Sequence, residues 1–265
     1  MQEDFIIVGS GFFGCVLAER IANDLNKNVT IFEKRNHLGG NCYSEIDKKT
    51  GIEFHKYGSH IFHTSNKDVW DYINNFTKFN SYHHQVLSSY KNRIYQLPFN
   101  LETINSAYNK NLNPEQAKIF ISNEIKKLEI LKPENFEEKA LSMVGEKLYK
   151  MFIKGYTLKQ WGTHPKNLPS SIINRIPVRY NYNENYFLNS KWQGIPLEGY
   201  TSIFNNLLDN KKIKIKYNYE FDLSKINTKK TIIYTGPLDR LFNYEFGRLE
   251  WRSLKFEKKH FNIND

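Results

Sequence analysis

Three glycines, Gly9, Gly11 and Gly14, stand at the spacing G-x-G-x-x-G in "VGSGFFG". Glu33 follows the last of them by about 20 residues, as a dinucleotide fingerprint requires. Each residue type answers one need of a pyrophosphate. Gly9 permits a tight turn, Gly11 lets the backbone approach the phosphates, Gly14 lets a helix pack closely on a strand, and Glu33 accepts hydrogen bonds from a ribose. A helix opening at these glycines adds partial positive charge where the phosphates sit. A second pair, Gly39-Gly40 in "HLGGNCYSEID", offers another close backbone approach. An extended flavin dinucleotide needs that, so FAD is favoured over NAD. Cys15 and Cys42 lack C-x-x-C spacing and read as core or loop thiols. His60 and His63 in "YGSHIFHT" fit either a metal pair or loop histidines bonded to backbone. With no third ligand at useful spacing, no metal is expected. Phe152, Tyr156 and Trp161 follow a helix and its end, where side chains can border one cleft, although such aromatics more often fill a core.

These residues need elements to carry them. Phe5 to Val8 form a short apolar run, the pattern of a strand buried on both faces of a parallel sheet. Val16, Leu17, Ile21, Ala22 and Leu25 recur at helical spacing, and "NVTIFEK" supplies a second apolar strand, completing a βαβ unit. Residues 68–76 predict a short amphipathic helix, and "YHHQVLSSYKNRIYQLPF" an antiparallel hairpin turning at Lys91 to Arg93. From Leu101 to Gly162 the pattern is helical. Asn135 predicts an N-cap with Glu138 reaching back to it, and Leu141, Val144, Leu148, Met151 and Phe152 make one stripe, ended by Gly162 and Pro165. Later, "KIKIKYNYEF" alternates as a strand, and "TIIYTGP" is suited to rejoin the nucleotide-binding sheet. No repeats or low-complexity linkers interrupt the chain, so further domains are insertions into the first.

The chain has 265 residues, 40% apolar and 15% aromatic, enough for a substantial core. No apolar run approaches the length of a membrane span, and the start "MQED" is acidic where a signal peptide is basic. A cytoplasmic protein without membrane insertion is expected. The net charge is +10, but only eight of the 38 basic residues are arginines and the lysines are scattered. Such a surface attracts anionic substrates without the signature of a nucleic-acid partner.

Together, "VGSGFFG", "EKRNHLGGN", "YGSHIFHT", "YQLPFNL", "GYTLKQWG", "GIPLEGYTSIF", "YTGPLDRLF" and "LEWRSLKFE" closely resemble the bacterial type of the UDP-galactopyranose mutase family, in order and along essentially the whole chain. The resemblance implies an α/β fold. A discontinuous Rossmann-like FAD domain (1–80 and 195–240) carries a helical insertion (101–162) and an incomplete antiparallel sheet domain (81–100, 163–194 and 241–265). It implies a flavoenzyme interconverting UDP-galactopyranose and UDP-galactofuranose for surface polysaccharides. The mechanism that the resemblance implies is attack of reduced flavin N5 on the anomeric carbon as UDP departs, with no net redox. By motif match, Phe152, Tyr156, Thr157 and Trp161 hold the uridine end, Arg175 the diphosphate and sugar, and Tyr186 and Phe187 a facing loop. Likewise His60 and Ile61 lie against the flavin ring and His63 supports them. Phe13, Glu33, Lys34, Gly40, Asn41 and Phe221 contact the rest of FAD. Arg252 matches an arginine near the active site, with a structural ion pair as its alternative.

Ser59 and Gln85 depart from the proline and arginine common in the family. The chain ends after "RSLKFEKKHFNIND" where members continue, so a second substrate-binding arginine and a late flavin segment are expected to be missing. The expectation is that these 265 residues alone hold FAD poorly and do not turn over. A flavin oxidoreductase of the amine-oxidase type, against which "GYTLKQWG" argues, and a non-catalytic nucleotide-binding remnant are the alternatives. A homodimer is left open.

Overall fold

Phe5–Val8 forms strand β1, whose Ile7 is fully buried. Helix α1 (Phe12–Asp24) follows, then β2 (Val29–Phe32), every residue of which is buried. The computed structural model describes residues 4–173, 178–222, 230–251 and 253–261. The chain continues through β3 (Ser44–Ile46), β4 (Glu53–His55), β5 (Phe62–Thr64) and α2 (Lys67–Ile73). Next come β6 (Val86–Tyr90), β7 (Arg93–Leu97), α3 (Leu101–Tyr108), α4 (Pro114–Lys126), α5 (Phe136–Leu148) and α6 (Lys154–Trp161). The last elements are β8 (Trp192–Gly194), α7 (Gly199–Leu207), β9 (Ile213–Lys216), β10 (Thr231–Tyr234) and α8 (Leu238–Leu241). Two units result, Met1–Tyr82 with Asn189–Asp265, and His83–Leu188. Among the described residues no helix is long and apolar enough to cross a membrane.

The first unit is built on a four-stranded parallel sheet in the order β10, β1, β2, β9. The segment "TIIYTGP" thus does rejoin the strand of the glycine motif, pairing Phe5 with Thr231 and Val8 with Tyr234. Apolar residues of α1 (Cys15, Ala18, Ile21) and α7 (Tyr200, Ile203, Phe204, Leu207) share one buried cluster with Ile7, Val29 and Ile31. Both helices thus bury the face of the sheet that carries Ile7, Val29 and Ile31. Helix α2 starts at Lys67, because the Asn66 side chain accepts from the backbone N–H groups of Asp68 and Val69.

In the second unit the β6–β7 hairpin turns at Lys91 and Asn92, both at positive φ (48° and 60°), the two-residue turn whose twist matches its strands. Tyr95 and Phe99 from the hairpin side enter the same apolar cluster as Ile104, Ile121, Val144, Leu148 and Phe152. The hairpin and Phe99 therefore share a core with the helices. The expected continuous helix is interrupted. Gly145 is non-helical (φ 76°, ψ 169°), and Tyr149–Ile153 forms a π-type turn before α6 ends at Gly162 in the left-handed conformation. Asn135 caps α5 through the Glu138 N–H at 3.1 Å, but the Glu138 carboxylate accepts from Glu134 N at 2.9 Å, one residue before the cap.

Candidate functional site

A cleft of about 490 Å³ opens where β1, β2 and β10 end, bordered by Val8, Phe32 and Tyr234. The carboxyl ends of parallel strands are where this architecture binds ligands. Of the residues singled out for a cofactor, Gly9, Gly11, Glu33, Lys34, Gly40, Asn41 and Phe221 all line it. Gly14 lies beneath, where a Cβ would overlap the Gly9 carbonyl oxygen and come within 3.3 Å of Ile7 Cγ2. Gly9 holds a φ of 104°, and its N–H donates to the Phe32 carbonyl at 2.8 Å. Thr235 closes the other side, its hydroxyl donating to the Val8 carbonyl at 2.7 Å. Phe13 is on the first turn of α1 and 66% exposed.

Glu33 is 5% exposed and ties the glycine loop together. Its Oε2 accepts from Ser10 N at 2.9 Å and Ser10 Oγ at 2.6 Å, while Oε1 accepts from Arg35 N at 2.8 Å. Oε1 keeps an acceptor lone pair for a ligand hydroxyl. The Cys15 thiol, below, donates to the Ser10 carbonyl at 3.1 Å. Burial first, then the charge of Glu33, push its pKa up to about 12, so it is an inert core group. Phe32 meets Tyr219 and Phe221 at ring distances of 4.8 and 4.9 Å, forming an aromatic wall.

The donors are suited to a dinucleotide. Gly11 is the N-cap residue of helix α1, which has no side-chain cap and no acidic residue in its first turn, and this leaves backbone N–H groups for an anion. A Cβ on Gly11 would meet nothing within 4 Å, so there is open space above it. Arg35, which the sequence reading passed over for Lys34, also lines the cleft. Its Nη2 donates to Asn41 Oδ1 at 3.0 Å, its guanidinium lies 4.5 Å over the Tyr57 ring, and its buried Nη1 finds no partner among the described residues. A buried donor left over beside an uncapped helix is consistent with a phosphate-bearing cofactor.

His60 lies in the same unit but is not among the cleft-lining residues. Its N–H donates to His55 Nδ1 at 2.9 Å, its Nδ1 lies 2.7 Å from the Gly58 carbonyl, and Tyr200 is at 6.2 Å edge-on. Ile61 follows, half-buried. His63, on β5, bonds Ser190 Oγ at 2.9 Å.

In the second unit, burial divides the aromatic group. Phe152 (7% exposed) packs on Tyr95 at 5.1 Å and Phe99 at 5.8 Å, and Thr157 is buried too. Tyr156 is 68% exposed, and Trp161 packs against the rim of the core. Tyr186 and Phe187 meet edge to face at 5.2 Å, with His84 stacked on Phe187. The sequence reading also missed Arg179, a buried arginine whose guanidinium donates to backbone carbonyls of the 183–186 loop. Its one signal was position in "IPVRYNYNENYF", between a core residue and a run of asparagines. Arg175 and Arg252 lie outside the described residues.

Residues 151–265 match the family model of UDP-galactopyranose mutase, and residues 7–76 that of an NAD(P)-binding Rossmann-like domain. The chain is 43% identical to a dTDP-fucopyranose mutase of Escherichia coli, over 98% of this chain and 70% of that protein. It is 42% identical to a probable UDP-galactopyranose mutase of Klebsiella pneumoniae, over 97% and 66%. The crystal structure of a reduced UDP-galactopyranose mutase shares the fold, with a TM-score of 0.68 at 18% identity, over 91% of this chain and 57% of that one. The chain thus spans about two thirds of the length of the two curated relatives.

Proposed function

The chain belongs to the UDP-galactopyranose mutase family, and on that premise we propose that it serves as a flavin-dependent isomerase interconverting UDP-galactopyranose and UDP-galactofuranose. The observation that carries the reading is the cleft above Gly9 and Gly11, with its uncapped helix, the Glu33 carboxylate and the spare Arg35 donor. Gly9, Gly11, Gly40 and Arg35 would hold the pyrophosphate of FAD, Glu33 a ribose, and Lys34, Asn41 and Phe221 the remaining ADP half. When bound and reduced, FAD would supply a nucleophile for the anomeric carbon without net redox. What is left to the chain is electrostatic and steric work. The departing UDP is an anion and needs a fixed cation, the role proposed for Arg175. Phe152, Tyr156, Thr157 and Trp161 would hold the uridine, with Tyr186 and Phe187 beside the sugar and Arg252 near it. His60 and Ile61 would border the flavin ring, and His63, through Ser190, would steady their loop. The product would serve galactofuranose-containing surface polysaccharides. The 43% identity to the E. coli protein favours a second substrate, dTDP-fucose, which differs by a thymidine and a missing 6-hydroxyl.

The experiment is to extend the chain with the C-terminal region of a curated relative, reduce it with dithionite beside the 265-residue chain, give each the furanose form of each nucleotide sugar and follow the pyranose. Conversion of either supports the mutase reading. Oxidation of an amine with peroxide release, and no ring change, would establish the oxidoreductase instead. In the extended chain, Arg175→Ala should remove turnover and lower UDP affinity about tenfold or more while flavin absorbance per chain is unchanged, since a charge-assisted contact contributes roughly 1.5–3 kcal/mol. Unaltered UDP affinity would take Arg175 out of the site. Trp161→Ala should likewise weaken UDP more than FAD. Because Trp161 also packs on the core of its unit, equal loss of both ligands would mark it as structural.

A further inference from the structure

Arg179 is 5% exposed, an unusual position for a guanidinium. Its main-chain N–H donates to the Phe99 carbonyl at 2.7 Å, anchoring the residue beside a fully buried core aromatic. Its side chain reaches the other way. Nη1 donates to the carbonyls of Asn183 at 3.1 Å and Asn185 at 2.6 Å, and Nη2 to that of Tyr186 at 3.5 Å. The same loop is stapled from within, where alternate asparagine side chains each accept the N–H two residues on. Asn181 takes Asn183 N at 3.0 Å, Asn183 takes Asn185 N at 2.9 Å, and Asn185 takes Phe187 N at 3.1 Å. At the end of that run Tyr186 donates its N–H to the His84 carbonyl at 3.0 Å and keeps a ring 47% exposed.

We propose that Arg179 is a positioning residue for nucleotide-sugar binding, its guanidinium gathering the Asn183, Asn185 and Tyr186 carbonyls so that the loop presents Tyr186 and Phe187 to the substrate. This rests on the reading that those two rings contact the nucleotide sugar. A planar fork with several donors in fixed directions can hold three carbonyls at once. A lysine ammonium has the charge but not the fork.

The test uses the full chain with Arg179→Lys, Arg179→Met and Tyr186→Ala, reading UDP affinity, flavin absorbance per chain and amide exchange over residues 181–188. In Arg179→Lys, exchange from Asn183 to Phe187 accelerates, UDP affinity falls about tenfold, and flavin content is unchanged. A tenfold loss corresponds to about 1.4 kcal/mol. Arg179→Met loses more, so that lysine is a partial rescue, and if the methionine variant fails to fold the lysine variant decides alone. Exchange as slow as in the parent protein, or intact UDP affinity in Arg179→Lys beside weakened affinity in Tyr186→Ala, overturns the role of Arg179. Intact UDP affinity in Tyr186→Ala removes the loop from the substrate and overturns the inference together with its premise.

Discussion

Gly14→Ala is expected to abolish dinucleotide binding and to destabilise the first unit by about 3 kcal/mol or more, at the upper end for an overpacked site. The new Cβ would overlap the Gly9 carbonyl oxygen, and its next neighbours, the Gly9 carbonyl carbon and Ile7 Cγ2, are both at 3.3 Å. None of these can yield cheaply. Gly9 is held by its N–H bond to Phe32, by a φ of 104°, and by Thr235 on its far side. Ile7 is fully buried in the central strand. Gly11→Ala is the contrast. Its φ of −69° suits any residue and its Cβ would meet no protein atom within 4 Å, so the fold should be unaffected while a cofactor phosphate loses its approach. Urea midpoints and flavin absorbance of the two variants check this. Equal stability of Gly14→Ala and the parent would refute the packing argument.

Glu33→Ala is expected to cost about 3 kcal/mol and most of the dinucleotide affinity. Three donors, Ser10 N–H, Ser10 hydroxyl and Arg35 N–H, lose their acceptor. Buried donors left without partners cost about 1–3 kcal/mol each, offset in part where water enters the open cleft. Glu33→Gln separates the two contributions, keeping an acceptor oxygen but turning an amide donor toward other donors. It should recover part of the urea midpoint and less of the flavin affinity. If Glu33→Ala unfolds at the parent midpoint, the carboxylate does not brace the loop. A second consequence is at Cys15, whose pKa is raised in part by the Glu33 charge. Removing that charge lowers the thiol from about 12 but leaves burial, the larger cause, in place.

Much of the first unit is written in short-range pattern. Phe5–Val8 is apolar throughout, Val29–Phe32 is interrupted by Thr30 alone and is buried at every residue, and the glycine spacing marks the turn between β1 and α1. The hairpin at Lys91 and Asn92 and the Asn135 cap are likewise local, each decided within a few residues. The α5 break is different. The apolar stripe from Leu141 to Phe152 is periodic enough for one helix, yet Gly145 takes a conformation that only its packing context selects, and the π-type turn after it shifts the facing of everything that follows. Phe152, within that turn, lies inside the core, while Tyr156, four residues on, stands in solvent.

The sequence by itself determined the βαβ unit with its glycine turn and the family, because these depend on residue type at fixed spacing along the chain. Tertiary structure alone decided what depends on groups brought together from far apart. Thr235 closes over Val8 from 227 residues away, and β9 takes the place beside β2. Arg35 keeps a donor over the cleft, although nothing in "EKRNHLGGN" tells it apart from Lys34. Arg179 and Tyr186 are close in sequence, but only the buried environment turns an arginine into a brace for backbone carbonyls. Periodicity tells which face of an element is buried. Which neighbour buries it, and which polar atoms burial leaves over, is decided by the packing of the whole chain, since desolvation and hydrogen-bond satisfaction are properties of the assembled interior.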